Sequence, residues 1–318
     1  MEWLIEEGIG EHRALLIDGA EAVAARIDWP GRAGAGLVAD AVLIHRAGGS
    51  KRGVIRLPSG EEALVDRLPR EASEGAPIRI EITRAALAET GRFKLAKARP
   101  VDKPLRPAFT LAQQTGGKVV RAFPEGLWED VWGEAWSGEV PFAGGALVLT
   151  PAPAMTVIDI DGPLPAPALC LAAVPALAGA VRRMDLAGSI GVDFPTLSDK
   201  SDRQAVDVAL AEALQGYAHE RTAMNGFGFV QIVARLERPS LLARLQHTPV
   251  GAAARFLLRR AERVSEAGVL LIRAPSAVLA AITPAWEEEL ARRTGRRIHR
   301  EVDDTLALDG GFAQAIAS

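Results

Sequence analysis

Two short apolar runs, each ending in aspartate and separated by a helix-length Ala/Leu stretch, constrain this chain more than any other feature. The first is Met155-Thr156-Val157-Ile158-Asp159-Ile160-Asp161, and the second is Gly188-Ser189-Ile190-Gly191-Val192-Asp193-Phe194. Both are rich in β-branched residues and read as short buried strands. Between them, from about Ala166 to Met184, Ala and Leu dominate, and the stretch closes on Arg182-Arg183 as suits a helix C-terminus. A strand, a helix and a returning strand form a parallel pair with both C-termini on one edge. Open α/β sheets gather catalytic groups at that edge, and Mg²⁺ takes one or two carboxylates plus waters. Spacing alone leaves two readings open. Either the aspartates share a metal, or Asp159 and Asp161 make a strand-end turn and Asp193 a cap.

The 318 residues are enough for about two domains, and 48% hydrophobic with 24% charged residues supports a sizeable core. A net charge of −3 excludes a global basic signature of nucleic-acid binding. Locally the balance differs. Residues 45–103 carry 13 Lys/Arg against 8 Asp/Glu, and residues 235–263 carry 7 Arg against 2 Glu. Two basic segments around an acidic site suit a polyanion held against a metal; solvated Arg-rich helix faces explain them equally well. The single cysteine, Cys170, excludes a disulfide framework and a Cys₄ zinc site. The acidic start Met1-Glu2-Trp3-Leu4-Ile5-Glu6-Glu7 lacks the basic and apolar regions of a signal peptide. The most apolar stretch, about 166–181, is short for a membrane span and holds Pro175. A cytoplasmic location is expected.

Along the chain, residues 13–28 read as a hairpin around Asp18-Gly19. Short strands follow at Gly36–Ile44, Arg52–Leu57, Glu62–Leu68, Ile78–Thr83 and Arg92–Ala98. Five strands in so short a span predict a small barrel, with the oligonucleotide-binding fold a natural candidate. A Pro-rich connector (Pro100, Pro104, Pro107) comes next. Trp128, Trp132 and Trp136 then share one helix face, a stripe that reads as core or subunit contact before it reads as a base-stacking platform. Ser198–Tyr217 is predicted helical with Ser198 as N-cap. Phe227–Val233 is a strand, and residues 250–267 an Arg-rich amphipathic helix. A tail of strand (269–273), two helices (276–282, 286–293) and strand (297–302) forms a small module.

Read together, these segments resemble the ribonuclease E/G family of bacterial endoribonucleases. The match runs from Gly144-Gly145 to Leu241. It includes the two aspartate strands, the lead-in Asp185-Leu186-Ala187-Gly188, Arg203-Gln204-Ala205-Val206, Gly226-Phe227-Gly228-Phe229 and Pro239-Ser240-Leu241. It is best over about 126–245 and weaker over 1–100. The resemblance implies a DNase I-like/RNase H-like α/β catalytic core, an N-terminal all-β oligonucleotide-binding barrel and a small α+β C-terminal module. The corresponding boundaries are a hairpin at 1–33, a barrel at 34–99, a linker at 100–125, a nuclease core at 126–245 and a C-terminal module at 246–318. Residues 100–125 are too few for the family's 5′-monophosphate sensor, and the cysteine pair of its zinc link is missing. A zinc-linked tetramer is therefore not expected, while a homodimer stays open. Asp161 stands where the family has asparagine, Val54 and Leu64 where it has stacking aromatics, and Gly226 where it has arginine.

The resemblance implies Mg²⁺-dependent hydrolysis of single-stranded RNA, with Asp159 and Asp193 as metal ligands and Asp161 orienting a water. Candidate phosphate contacts are Lys200, Arg203, Arg235 and Arg238, with Lys51, Arg52 and Arg92 on barrel loops as weaker candidates. The alternative is an RNA-binding protein that keeps the fold with little or no catalysis.

Overall fold

The computed structural model describes residues 1–48 and 50–317. Three N-terminal strands, β1 (Glu2–Glu7), β2 (His12–Asp18) and β3 (Glu21–Asp28), pair antiparallel in sequence. The hairpin predicted around Asp18-Gly19 is β2–β3; its partner β1 escaped the sequence reading. A closed barrel follows from β4 (Val38–Arg46), β5 (Gly53–Arg56), β6 (Glu62–Val65) and β7 (Pro77–Arg84). A small ribbon of β8 (Leu87–Glu89) and β9 (Arg92–Lys94) then precedes the last barrel strand, β10 (Ala96–Pro100). The predicted strand Arg92–Ala98 is therefore two strands in two different sheets. Its first half pairs back on β8, and only its second half closes the barrel. The order β4-β5-β6-β10-β7 returns to β4, with β6 and β10 parallel.

Residues 100–125 are more than a linker. They hold α1 (Leu111–Thr115), whose Thr110 and Gln113 form a capping box, and β11 (Lys118–Val120). β11 lies parallel to β1 and completes a four-stranded N-terminal sheet.

The central layer begins with α2 (Leu127–Ser137), then β12 (Glu139–Phe142), β13 (Gly145–Pro151), β14 (Thr156–Asp161), α3 (Ala166–Arg183) and β15 (Gly188–Asp193). It continues with α4 (Lys200–Ala213), β16 (His219–Arg221), β17 (Phe229–Ala234) and α5 (Leu241–His247). The six strands run in the order β12-β13-β14-β15-β17-β16, and only β14 and β15 are parallel. The helix α4 starts at Lys200 with Asp199 as N-cap, so Ser198 is not the cap.

Val140, Leu147, Ile158, Ile160, Ile190, Val192, Val230 and Ile232 point to one face of this sheet and bury against α2, α3, α4 and α5. The N-terminal sheet covers the other side of this helical layer through Leu15, Ala25 and Ile27. Trp128 and Trp132 are fully within this core, and Trp132 stacks on Trp136 and on Phe256. The tryptophan stripe is packing. Among the described residues, α3 is the one helix long and apolar enough to cross a membrane. Its Leu169, Ala173, Leu177 and Val181 line the protein core instead.

The C-terminal part comprises α6 (Pro249–Glu262), β18 (Val269–Ala274), α7 (Ser276–Ala281), α8 (Pro284–Thr294), β19 (Ile298–Val302) and β20 (Phe312–Ile316). β20, absent from the sequence reading, pairs with β18 opposite β19. Helix α6 serves both halves, with Ala252 and Phe256 in the central core and Ala254, Leu257 and Leu258 in the C-terminal one.

The arginine excess of residues 235–263 has a use that composition does not reveal. Arg259 is 1% exposed; its Nε donates to Glu6 Oε1 at 2.8 Å, and its Nη1 donates to Glu129. Arg263 Nη2 donates to Glu6 Oε2 at 2.7 Å. The Arg255 guanidinium lies between the rings of Trp29 and Trp286 at 3.9 and 4.6 Å. These side chains fasten α6 to β1, to α2 and to Trp286 rather than forming a solvated face.

Cys170 sits on the buried side of α3, and burial pushes its thiol up to about 11. Because the thiolate is the reactive form, Cys170 should resist Ellman's reagent at pH 8 in the native protein and react on unfolding. Rapid stoichiometric labelling without denaturant would contradict this packing.

Candidate metal and RNA site

Register, not merely proximity, unites the two aspartates. In the parallel β14–β15 ladder, Asp159 is the direct partner of Asp193. The two α-carbons therefore stand one strand spacing apart, about 4.8 Å. Ile158, Ile160 and Val192 turn inward, so alternation turns Asp159, Asp161 and Asp193 to the opposite, helix-free face, where all three are exposed. Asp161 lies two residues further along the same strand, roughly 7 Å away. Asp159 lies inside β14, whereas Asp161 is its last residue. Asp159 Oδ1 accepts from the adjacent Ile160 N at 3.0 Å, and Asp193 caps no helix.

The open face has one sign of charge. Its strand positions include Glu139, Asp159, Asp161, Asp193 and Glu220, alongside Val148, Gly191, Phe229, Gln231 and Val233. No strand position on that face carries Lys, Arg or His. Among the described residues, none of the three aspartates has a basic partner within ion-pair distance, and no group of three or more metal-type side chains gathers. Like charges directly opposed on neighbouring strands are destabilising. A bound divalent cation would relieve that repulsion, and an all-oxygen pair open to water suits Mg²⁺. The donor set fits the ion.

Two glycines shape the floor beside Asp193. A Cβ at Gly191 would meet Phe229 Cζ at 2.6 Å, so the missing side chain admits the Phe229 ring. Gly228 has φ +90°, and a Cβ there would lie 2.2 Å from Phe194 O. Gly228→Ala is expected to cost about 2–3 kcal/mol through combined strain and clash, measured by urea unfolding. An unchanged midpoint would show that this turn relaxes freely. Between these glycines' neighbours stands Phe227, 83% exposed, in a turn held by Asn225 Oδ1 accepting from Phe227 N and Phe229 N. The sequence puts Phe227 at the start of a strand, whereas β17 begins at Phe229 and leaves Phe227 in the turn before it. Its signal was an aromatic inside Gly226-Phe227-Gly228, where burial is not expected.

The cationic candidates divide by position. Lys200 and Arg203 start α4, just beyond the end of β15, on the edge that carries Asp193. Lys200 is exposed, whereas Arg203 turns back, donating to the carbonyls of Leu197 and Ser198. Arg203 therefore braces the loop after Asp193. Arg235 and Arg238 lie beyond Ala234, whose ladder partner is Gly188 at the far end of β15. That places them roughly 17 Å along the strand from Asp193, which removes them from the aspartate pair. Arg238 is further committed to Asp185 Oδ2 at 2.5 Å and to Gln114 Oε1 at 3.1 Å. Arg235 pairs with Glu237 at 3.1 Å and stays well exposed.

On the barrel, Lys51 is exposed, Arg52 pairs with Asp66 at 2.9 Å and Arg92 with Glu89 at 2.6 Å. The barrel docks at the aspartate-distant end of the sheet: Lys94 Nζ donates to Pro153 O at 3.1 Å and Ala85 N to Glu237 O at 2.8 Å. Leu64 is exposed, as a stacking position would be, and so are the aromatics Phe93 and Phe109. Arg32 and Arg106 cover those rings at 5.7 and 4.3 Å. Compared with known proteins, the chain matches no protein-family model and no curated protein.

Proposed function

We propose that the protein is an endoribonuclease that hydrolyses single-stranded RNA with Mg²⁺ held by Asp159 and Asp193. The observation that carries this reading is the direct register of two carboxylates, without a cationic partner, on an open sheet face. In this reading the six-stranded sheet and its helical layer are a DNase I-like/RNase H-like core of the ribonuclease E/G kind. The barrel, five strands with the third and last parallel, is an oligonucleotide-binding fold.

When bound, the ion supplies positive charge to the phosphate and lowers the pKa of a water. Asp159 and Asp193 provide the ligand oxygens from rigid strands. Asp161, on the same face, accepts a hydrogen bond from a water at the site and so orients it. Lys200, at the same edge, neutralises a phosphate next to the cleaved one. Phe227 offers a ring face on which a base stacks, a contact available to any base. A strand reaching from the barrel to the aspartates would cross the open sheet face.

The direct test is cleavage of an unstructured RNA with Mg²⁺ and with a chelator. Metal-dependent scission supports the reading; equal activity in chelator sinks the metal assignment. The second reading, RNA binding without catalysis, draws on the engagement of Arg203 and Arg238 with protein acceptors. RNA retention with no cleavage under any divalent ion would favour it.

A further inference from the structure

We propose that the seam between barrel and central sheet holds a phosphate-binding site centred on Arg244, separate from the aspartate pair. A cavity of about 260 Å³ opens there, lined from the barrel side by Arg32, Arg99 and Arg106 and from the core side by Arg235, Arg238 and Arg244. Six guanidiniums face three carboxylates, Asp28, Glu81 and Glu237. Glu81 is already shared by Arg99, Lys103 and Arg106, and Glu237 is taken by Arg235. Arg238 has Asp185 and Arg32 has Glu61, both outside the cavity lining. Asp28 forms no ion pair with any of the six.

Arg244 is the residue this arrangement leaves without an acceptor. Among the described residues, its guanidinium makes no ion pair and donates no hydrogen bond, and its buried Nε has no partner. Burial holds its basicity below the ordinary arginine value, and Arg238 nearby adds to that, against Asp28 and Glu11. The Trp29 ring, 5.1 Å away, offers a π face but no lone pair to the N–H donors. Arg106, on the opposite wall, also has a buried Nε without a partner. Buried donors normally have partners, so two orphans lining one cationic cavity point to an acceptor that enters from outside. An acceptor for a planar five-donor fork amid surplus positive charge is a phosphate group. The cavity also adjoins a second one of about 230 Å³ through Asp28, Arg32, Gly34, Ala85 and Arg244, room for more than the phosphate alone.

The site could be occupied by a phosphate of an RNA strand or by a free organic phosphate, and calorimetric titration of the full chain distinguishes them. The probes are inorganic phosphate, adenosine monophosphate and a 5′-hydroxyl oligoribonucleotide. Wild type should bind at least one, and Arg244→Gln should weaken it by about tenfold or more through loss of a charge-assisted fork. All titrations are run in chelator, where the aspartate pair holds no ion, so that failure of the nuclease reading does not touch this one. If only the oligonucleotide responds to Arg244→Gln, the occupant is a strand phosphate; if the small probes respond, it is a free one. Absence of binding by all three, or equal binding by Arg244→Gln, overturns the proposal. Should Arg244→Gln fail to fold, Arg244→Lys carries the test, because it keeps charge and loses the fork. Wild-type affinity in that variant would then overturn it.

Discussion

Asp193→Asn is expected to lower Mg²⁺-dependent RNA cleavage at least about a hundredfold while leaving the fold as stable as before, or slightly more so. Both halves follow from one fact of register. Asp159 and Asp193 are opposed on adjacent parallel strands with no arginine or lysine between them. Removing one charge relieves a repulsion, so the thermal midpoint measured in chelator should hold or rise by about 1–3 °C. Added Mg²⁺ should raise the wild-type midpoint by ligand linkage and leave the variant's unmoved. A catalytic loss joined to a collapse in stability would instead mark the pair as structural. Wild-type cleavage rates in Asp193→Asn would end the metal reading. Asp159→Asn should behave alike in cleavage, and its amide oxygen can keep the bond that Asp159 Oδ1 accepts from Ile160 N.

The largest stability effect is expected far from that site, at Glu6. Its carboxylate is 7% exposed and accepts from Arg13 Nη1 at 2.7 Å, Arg259 Nε at 2.8 Å, Arg263 Nη2 at 2.7 Å and Phe123 N at 3.1 Å. Glu6→Ala leaves buried guanidiniums without their counter-charge, which costs about 3–5 kcal/mol, a fall of roughly 4–7 °C in midpoint for a chain of this size. Exposed Asp40, paired with Arg79 at 2.8 Å, should be replaceable without measurable loss. The pH dependence has a definite sign. Burial pushes the Glu6 carboxyl up, but Arg13, Arg259 and Arg263 outweigh it and hold the group below its ordinary value. Its contribution is therefore full above the unfolded carboxylate value of about 4.3 and is lost as pH falls through the depressed folded value. Wild type should lose stability across that acid window more steeply than Glu6→Gln. Parallel pH profiles would show that the network carries no such linkage.

The two aspartate strands, the helix between them and the tryptophan stripe were legible because each rests on a local period. Alternating apolar residues in 155–161 and 188–194 face a single buried layer, and the spacing within Ala166–Arg183 suits one helix. The barrel was legible as a set of strands but not in its closure. Arg92–Ala98 reads as one run, yet its first half pairs with a strand 3 to 7 residues away and its second half with one 33 residues away, which splits it between a ribbon and the barrel wall. β1, β11 and β20 were missed for a related reason. Each is a short strand that exists because a partner edge is present, as β11 has only Lys118–Val120 to lay beside β1.

The candidate site divides along the same line. Asp159, Asp161 and Asp193 lie on one face because strand alternation and a right-handed crossover leave little choice. Arg235 and Arg238 seemed equally suitable as phosphate contacts, being close to the same motifs in sequence. The ladder carries them to the other end of β15, and Asp185 claims one of them.

The amino-acid sequence by itself determined the local elements and the shared face of the three aspartates, since backbone periodicity acts over a few residues. Only the tertiary structure decided which arginines are free to meet a ligand. A guanidinium takes whichever carboxylate the fold brings to it, and for Arg259 that carboxylate, Glu6, is 253 residues away. The same sorting leaves Arg244 without an acceptor at the barrel seam.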